Sequence, residues 1–254
     1  MHSTQNIAAA GLALAASAIL SFIDNFVASV AEEAGLWQFQ LFRTLCALPL
    51  LILVGRMTGR SMRPVNLKGL MGRSLAVSIG LRICFASLGA LPVAQAGAGL
   101  FSAPLWVALL TIALFRQPIG PIGVFSVVLG FSGALMLLQP DFQSLTALSL
   151  MPLAAGFFYG LGMMLTRHWC ADENPVTLAI GIFATIGTAG VIMLGVVTLW
   201  PGEAFISMPW TTPSPRFLWL TLFQAVGAVF AVTLIAQDPS CVRPTRRGHR
   251  QVQK

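Results

Sequence analysis

The segment from Leu91 to Pro121 constrains the fold most, because apolar residues cover every face of the helix that it would form. Its sequence is LPVAQAGAGLFSAPLWVALLTIALFRQPIGP. A helix on the surface of a soluble protein has a polar face at a period of about 3.6 residues, and none exists here. About 20 mostly apolar residues suffice to cross a bilayer. We therefore predict a membrane-spanning helix, in which Pro104 either kinks the packing or lines a wet cavity.

The whole chain has the same character. Of its 254 residues, 56% are hydrophobic and only 9% are charged, whereas a soluble domain is about a quarter charged. We predict an all-α integral membrane protein, a multi-span helical bundle with about eight transmembrane helices. The predicted spans are Ile7–Val30, Trp37–Val54, Leu70–Leu91, Ala94–Phe115, Pro121–Leu138, Leu148–Thr166, Val176–Trp200 and Phe217–Gln237.

The basic residues predict the orientation of these spans. Twelve of the 15 lysines and arginines lie on one side, eleven in loops and Arg73 in the first turn of the third span, and Arg216 alone lies on the other side. Most of the twelve lie between the second and third spans and after the eighth. The positive-inside rule then places both termini in the cytoplasm. The expected partner is the lipid bilayer. Nucleic acid is not expected, because no basic groove with interleaved aromatic residues is present.

An internal repeat is the next feature of the sequence. Residues 21–24 (SFID) can be laid over residues 156–159 (GFFY), and a polar loop and a further apolar helix follow each of them. A unit of five helices is odd in number, so its second copy would be inverted in the membrane, as in many secondary transporters. The first repeat would cover residues 7–140. The second, incomplete and with three helices, would cover residues 146–237, followed by a polar basic tail at 238–254.

Several segments resemble the EamA-type carriers of the drug/metabolite transporter superfamily. They are FRTLCALPLL at 42–51, LPVAQA at 91–96, APLWVALL at 103–110 and LGFSGA at 129–134. The resemblance implies ten helices in two inverted five-helix repeats. It also implies a small-molecule solute as partner, moved as a metabolite across the cytoplasmic (inner) membrane by alternating access. The chain departs from the pattern at residues 116–118 (RQP), where the family usually has a glutamate, and in the two helices that the second repeat lacks.

Candidate substrate-binding residues are the polar groups inside the predicted spans. Asp24 and Arg43 lie at similar depths in adjacent helices, and either form a structural ion pair or belong to a site; Arg43 could also reach the headgroups. Arg82 lies near mid-membrane, where it either binds an anion or pairs with Asp24 or with carbonyls near Pro104. Tyr159 overlays Asp24 in the repeat and either packs in the core or orients a substrate.

Two further candidates, Gln95 and Trp106, follow from the family resemblance alone. Enzymatic motifs are absent, including GxSxG, HExxH and the P-loop. The histidines lie near the termini or in a loop, and the four cysteines have no CxxC spacing, so no metal or cofactor is expected.

The predicted function is that of a secondary transporter of small metabolites, amino-acid-like or otherwise anionic or zwitterionic, by alternating access. The anionic preference rests on two intramembrane arginines against one aspartate. The alternatives are a truncated, non-transporting membrane protein, or a half-bundle that needs a partner such as a second copy in a homodimer. An intramembrane enzyme is a remote third option.

Overall fold

The computed structural model describes residues 2–59, 62–115, 120–138 and 147–236, and all regular structure in these ranges is helical. A multi-span helical membrane protein is therefore confirmed. The helices are α1 (His2–Asp24), α2 (Val27–Ala31), α3 (Leu36–Met57), α4 (Leu67–Leu88), α5 (Val93–Phe101), α6 (Ala103–Phe115), α7 (Pro121–Leu138), α8 (Ala147–Trp169), α9 (Pro175–Leu199) and α10 (Pro215–Ala236).

Five stretches of these helices are long and apolar enough to cross a membrane. They are Leu14–Ala31, Leu36–Met57, Leu67–Leu88, Pro175–Leu199 and Pro215–Leu234. The remaining three predicted spans also coincide with helices: α7, α8, and α5 together with α6. The predicted basic tail at 238–254 and the RQP segment at 116–118 lie outside the described residues.

The fourth predicted span is broken at Ser102, between α5 and α6. The Ser102 hydroxyl donates to the Gly99 carbonyl at 2.6 Å, which satisfies an acceptor at the end of α5. Pro104 is the second residue of α6, where a helix does not need the N–H that proline lacks. Pro104 is exposed at this break.

The helices pack mainly as pairs from opposite halves of the chain. Helix α4 packs on α8, α3 on α9, and α1 on α10. Small residues also permit a close approach of α8 to α5 and α6. A Cβ atom at Gly156 of α8 would overlap Gly99 and Ser102, and one at Gly160 would lie 2.8 Å from the Ala103 carbonyl oxygen. The Gly156-x-x-x-Gly160 spacing is typical of close helix contacts, and its partners in this bundle are α5 and α6.

Candidate functional site

The guanidinium group of Arg43 lies among three phenylalanine rings in the middle of the bundle. Its Cζ atom is 5.9 Å from the ring centroid of Phe39 on α3, 4.8 Å from that of Phe85 on α4, and 5.7 Å from that of Phe183 on α9. The residue is only 5% exposed. Arginine interacts favourably with the faces of aromatic rings, and this interaction strengthens when water is excluded. Three helices thus hold one cation in an aromatic surrounding.

The Arg43 guanidinium has these ring contacts but no hydrogen-bond partner among the described residues. Within the described part of the chain, Arg43 makes no hydrogen bond or salt bridge, and its Nε is buried without a partner. Asp24, half-buried at the end of α1, lies close enough to act on Arg43 electrostatically. The two opposite charges therefore compensate each other through space and leave the donors of the guanidinium unused. A buried arginine with unused donors is typical of a binding site.

Two glutamines, which the sequence analysis did not select, add unused polar groups to the same bundle. Gln40 on α3 and Gln224 on α10 are both fully buried. Neither the oxygen nor the nitrogen of either carboxamide has a hydrogen-bond partner, and the buried hydroxyl of Thr221, one turn before Gln224, has none either. Unpaired buried polar groups are costly, so each requires an explanation. The signal available in the sequence was a glutamine inside an apolar helix.

Arg82 has a different environment from Arg43. Its Nη2 donates to the carbonyl of Thr185 on α9 at 2.8 Å and to the Ser78 hydroxyl at 3.3 Å. The carbonyl partner therefore comes from α9, and not from the region of Pro104 that the sequence suggested. These bonds join α4 to α9 and occupy one end of the guanidinium group. Its Nε, like that of Arg43, is buried without a hydrogen-bond partner among the described residues, so Arg82 differs from Arg43 in its bond to α9 and not in having all of its donors used.

The other three candidates from the sequence lie on α8 or on helices that pack against it. The backbone of Tyr159 lies against Gly80 of α4, because a Cβ atom added at Gly80 would be 2.8 Å from the Tyr159 nitrogen. Tyr159 is also in electrostatic range of Asp24. Trp106 packs edge-on against Phe157, with ring centroids 5.3 Å apart. Gln95 is half-buried on α5. Asp24 is thus within electrostatic range of Arg43 and of Tyr159, Tyr159 interacts more strongly with Arg73, and Trp106 lies at the contact of α6 with α8.

Three curated proteins resemble this chain, and each is named riboflavin transporter. The protein from Rhizobium johnstonii is 25% identical over 215 residues, which cover 84% of this chain and 68% of the relative. The protein from Vibrio cholerae is 25% identical over 160 residues, covering 60% of this chain and 49% of the relative. The protein from Brucella anthropi is 24% identical over 143 residues, covering 56% and 49%. The chain thus spans about half the length of two of these relatives.

No family model matches the chain. No solved structure matches it either. The similarity to the three named transporters and the apolar helices of the bundle support a membrane transporter for a small metabolite.

Proposed function

We propose that this chain carries an uncharged, planar aromatic metabolite of the flavin type across the cytoplasmic membrane, with Arg43 at the centre of its binding site. The observation that carries the proposal is the buried guanidinium of Arg43, surrounded by three aromatic rings and without a hydrogen-bond partner among the described residues. The name shared by the three relatives supports a flavin as the substrate.

The charges around the site favour a neutral substrate. Arg43 and Asp24 have opposite charges and lie within electrostatic range of each other, so an anion would leave an excess negative charge in a medium of low dielectric constant. Arg82 donates to Thr185 and Ser78. We therefore prefer an uncharged aromatic solute to the anionic or zwitterionic one that the arginine count suggested. Riboflavin is uncharged and has a planar ring system, an imide edge and a hydroxylated chain.

The groups of the site match this chemistry. The faces of Phe39, Phe85 and Phe183 pack on the guanidinium in this closed state, and we propose that these faces and the guanidinium plane stack on a fused ring system when the site opens. The imide edge of a flavin offers a donor between two acceptors. We propose that the unpartnered carboxamides of Gln40 and Gln224, on the contacting helices α3 and α10, bind this edge. A site that provides hydrogen bonds to a substrate also rejects analogues that lack those groups.

The proposed transport is alternating access by two inverted repeats. In two such repeats α1 corresponds to α8, α3 to α9, and α4 to α10. This correspondence converts the contact of α4 with α8 into that of α10 with α1. It likewise converts the contact of α3 with α10 into that of α9 with α4. All of these contacts occur, which supports two repeats over 7–140 and 146–237. Both termini are proposed to be cytoplasmic, from the charge asymmetry. Reporter fusions near Gly59 and near Glu203 should then report opposite sides of the membrane.

Uptake into liposomes that contain the purified chain tests this proposal. We expect saturable uptake of radiolabelled riboflavin, competition by other uncharged flavins, and little competition by riboflavin phosphate or by amino acids. Strong inhibition by anions together with no effect of neutral flavins would reject the substrate class. A chain that inserts into liposomes and transports none of these solutes would reject the carrier function.

A second candidate is a half-bundle that transports only with a partner, such as a second copy. It is favoured by one asymmetry: α8 is covered by α5 and α6, whereas α1 exposes 72% of Leu14 and 59% of Phe22. If this candidate holds, differently tagged copies should co-purify from one membrane, and uptake should depend steeply on the amount of protein per liposome. Uptake proportional to the amount of protein would favour a carrier that works as a single chain.

A further inference from the structure

A carboxylate from the α2–α3 loop holds the start of α10. Glu33 accepts a hydrogen bond from the hydroxyl of Ser214. The same Ser214 oxygen accepts the backbone N–H of Phe217 at 2.9 Å, so it caps the first turn of α10. Arg216 lies 3.4 Å from Glu33 and adds an ion pair. We name these residues (Glu33, Ser214 and Arg216) the Glu33 clasp.

A carboxylate from the α8–α9 loop holds the start of α4 in the same manner. Glu173, only 8% exposed, accepts the backbone N–H groups of Val65 at 2.7 Å and of Asn66 at 2.8 Å. Asn66 in turn caps α4, because its side-chain oxygen accepts the N–H of Gly69 at 3.0 Å. We name these residues (Glu173, Val65 and Asn66) the Glu173 clasp.

The two clasps lie at opposite ends of the bundle. Glu173 lies two residues before the first residue of α9, which runs for 25 residues before the loop that contains Ser214. At the rise of an α-helix this separation is about 37 Å. Each clasp joins a loop of one proposed repeat to the N-cap residue of a helix in the other. The exchange of α4 with α10 and of α3 with α9 converts one clasp into the other.

We propose that the two clasps are the gates of the carrier, and that each must open in turn to give the Arg43 site access to one side of the membrane. This inference rests on the proposed transport function. With both clasps closed, Arg43 is 5% exposed, as an occluded state requires. A carboxylate at the start of a helix is stabilised by backbone N–H groups and by the helix dipole. Loss of either carboxylate should therefore favour opening at that end alone.

Cys84 provides a reporter for each gate. It lies on α4, is 3% exposed, and is within electrostatic range of both Asp24 and Arg43. A chain with Cys46→Ala, Cys170→Ala and Cys241→Ser retains Cys84 as its only thiol. A membrane-impermeant maleimide is applied to intact cells and to inverted membrane vesicles. No substrate is needed, so the result does not depend on the identity of the solute.

In this background, Glu33→Leu should raise the labelling rate of Cys84 from one side, and Glu173→Leu should raise it from the other side. An increase of about tenfold or more is expected when charge-assisted hydrogen bonds that hold one state are lost. The conservative variants Glu33→Gln and Glu173→Gln keep an acceptor oxygen and should show smaller increases on the same sides. Glu203→Leu, in an exposed position of the α9–α10 loop, is the control and should change neither rate.

Equal increases from both sides in a folded protein, or no increase in either glutamine or leucine variants, would overturn the proposal. If a leucine variant unfolds in detergent, the glutamine variant decides. Side-selective labelling in a chain that does not transport riboflavin would retain the gates and reject only the substrate. Riboflavin transport without side-selective labelling would reject the gates and retain the function.

Discussion

Replacement of Gly99 by alanine should disrupt the crossing of α5 and α8. A methyl group at this position would overlap the carbonyl of Pro152 and lie 2.6 Å from the Pro152 Cα atom. These atoms belong to the backbone and cannot rotate away, so the helices must separate. Overpacking of a well-packed contact costs about 1–3 kcal/mol. We expect Gly99→Ala to lower the free energy of unfolding by an amount near the top of that range.

The matched control is Gly195→Ala in α9, where a Cβ atom would meet no other atom within 4 Å. Alanine in a helix interior is favoured over glycine by about 0.5–1 kcal/mol, so this variant should be slightly stabilised. Reversible unfolding in mixed detergent micelles measures both values. Equal stabilities for the two variants would refute the close crossing of α5 with α8, and with it the position of Trp106 beside Phe157.

Three further predictions concern individual polar groups. Asp24→Asn should destabilise the protein more when Arg43 is present than in the Arg43→Gln background, with a coupling energy of about 0.5–3 kcal/mol. Additive effects in this double-mutant cycle would mean that the two charges do not interact. Arg82→Gln should lower stability by about 1–3 kcal/mol through the lost bond to Thr185, but leave flavin binding by the folded protein unchanged; loss of binding alone would assign Arg82 to the site. Burial and the nearby Glu173 raise the pKa of the Cys170 thiol, so alkylation of Cys170 should require a higher pH than alkylation of a free cysteine. A dependence of the alkylation rate on pH equal to that of a free cysteine would contradict this environment.

The sequence could predict most helix positions, because apolar length is what a bilayer requires. Apart from the two divided spans, the predicted ends lie within three residues of the observed ones. The break at Ser102 was harder to predict from the sequence. Pro104 indicated an irregularity, but the bond from Ser102 to Gly99 that ends α5 depends on one local hydroxyl.

The composition of the site was only partly predictable. Arg43 and Asp24 stood out as charges within apolar spans, but the rings around Arg43 include Phe183, which lies far along the chain. In lipid a helix needs no polar face, so hydrophobic periodicity does not reveal which helices meet. For the same reason the sequence could not distinguish the two arginines. Arg82 donates a hydrogen bond to Thr185, whereas Arg43 makes no hydrogen bond within the described part of the chain. The two clasps also depend on contacts between distant loops, such as that of Glu173 with Asn66.

The binding of riboflavin to the purified 254-residue chain tests the central claim most directly. Quenching of flavin fluorescence on stacking reports the affinity, and only variants that elute as folded protein are compared. We expect saturable binding, with affinity at least about tenfold lower in Arg43→Gln, as the loss of a charged hydrogen-bond donor predicts. Phe85→Leu should also bind more weakly, whereas Phe230→Leu, at a position 54% exposed on α10, should bind as the unmodified chain does. Equal affinity in Arg43→Gln and Phe230→Leu, or no binding by the unmodified chain, would contradict a flavin site at Arg43.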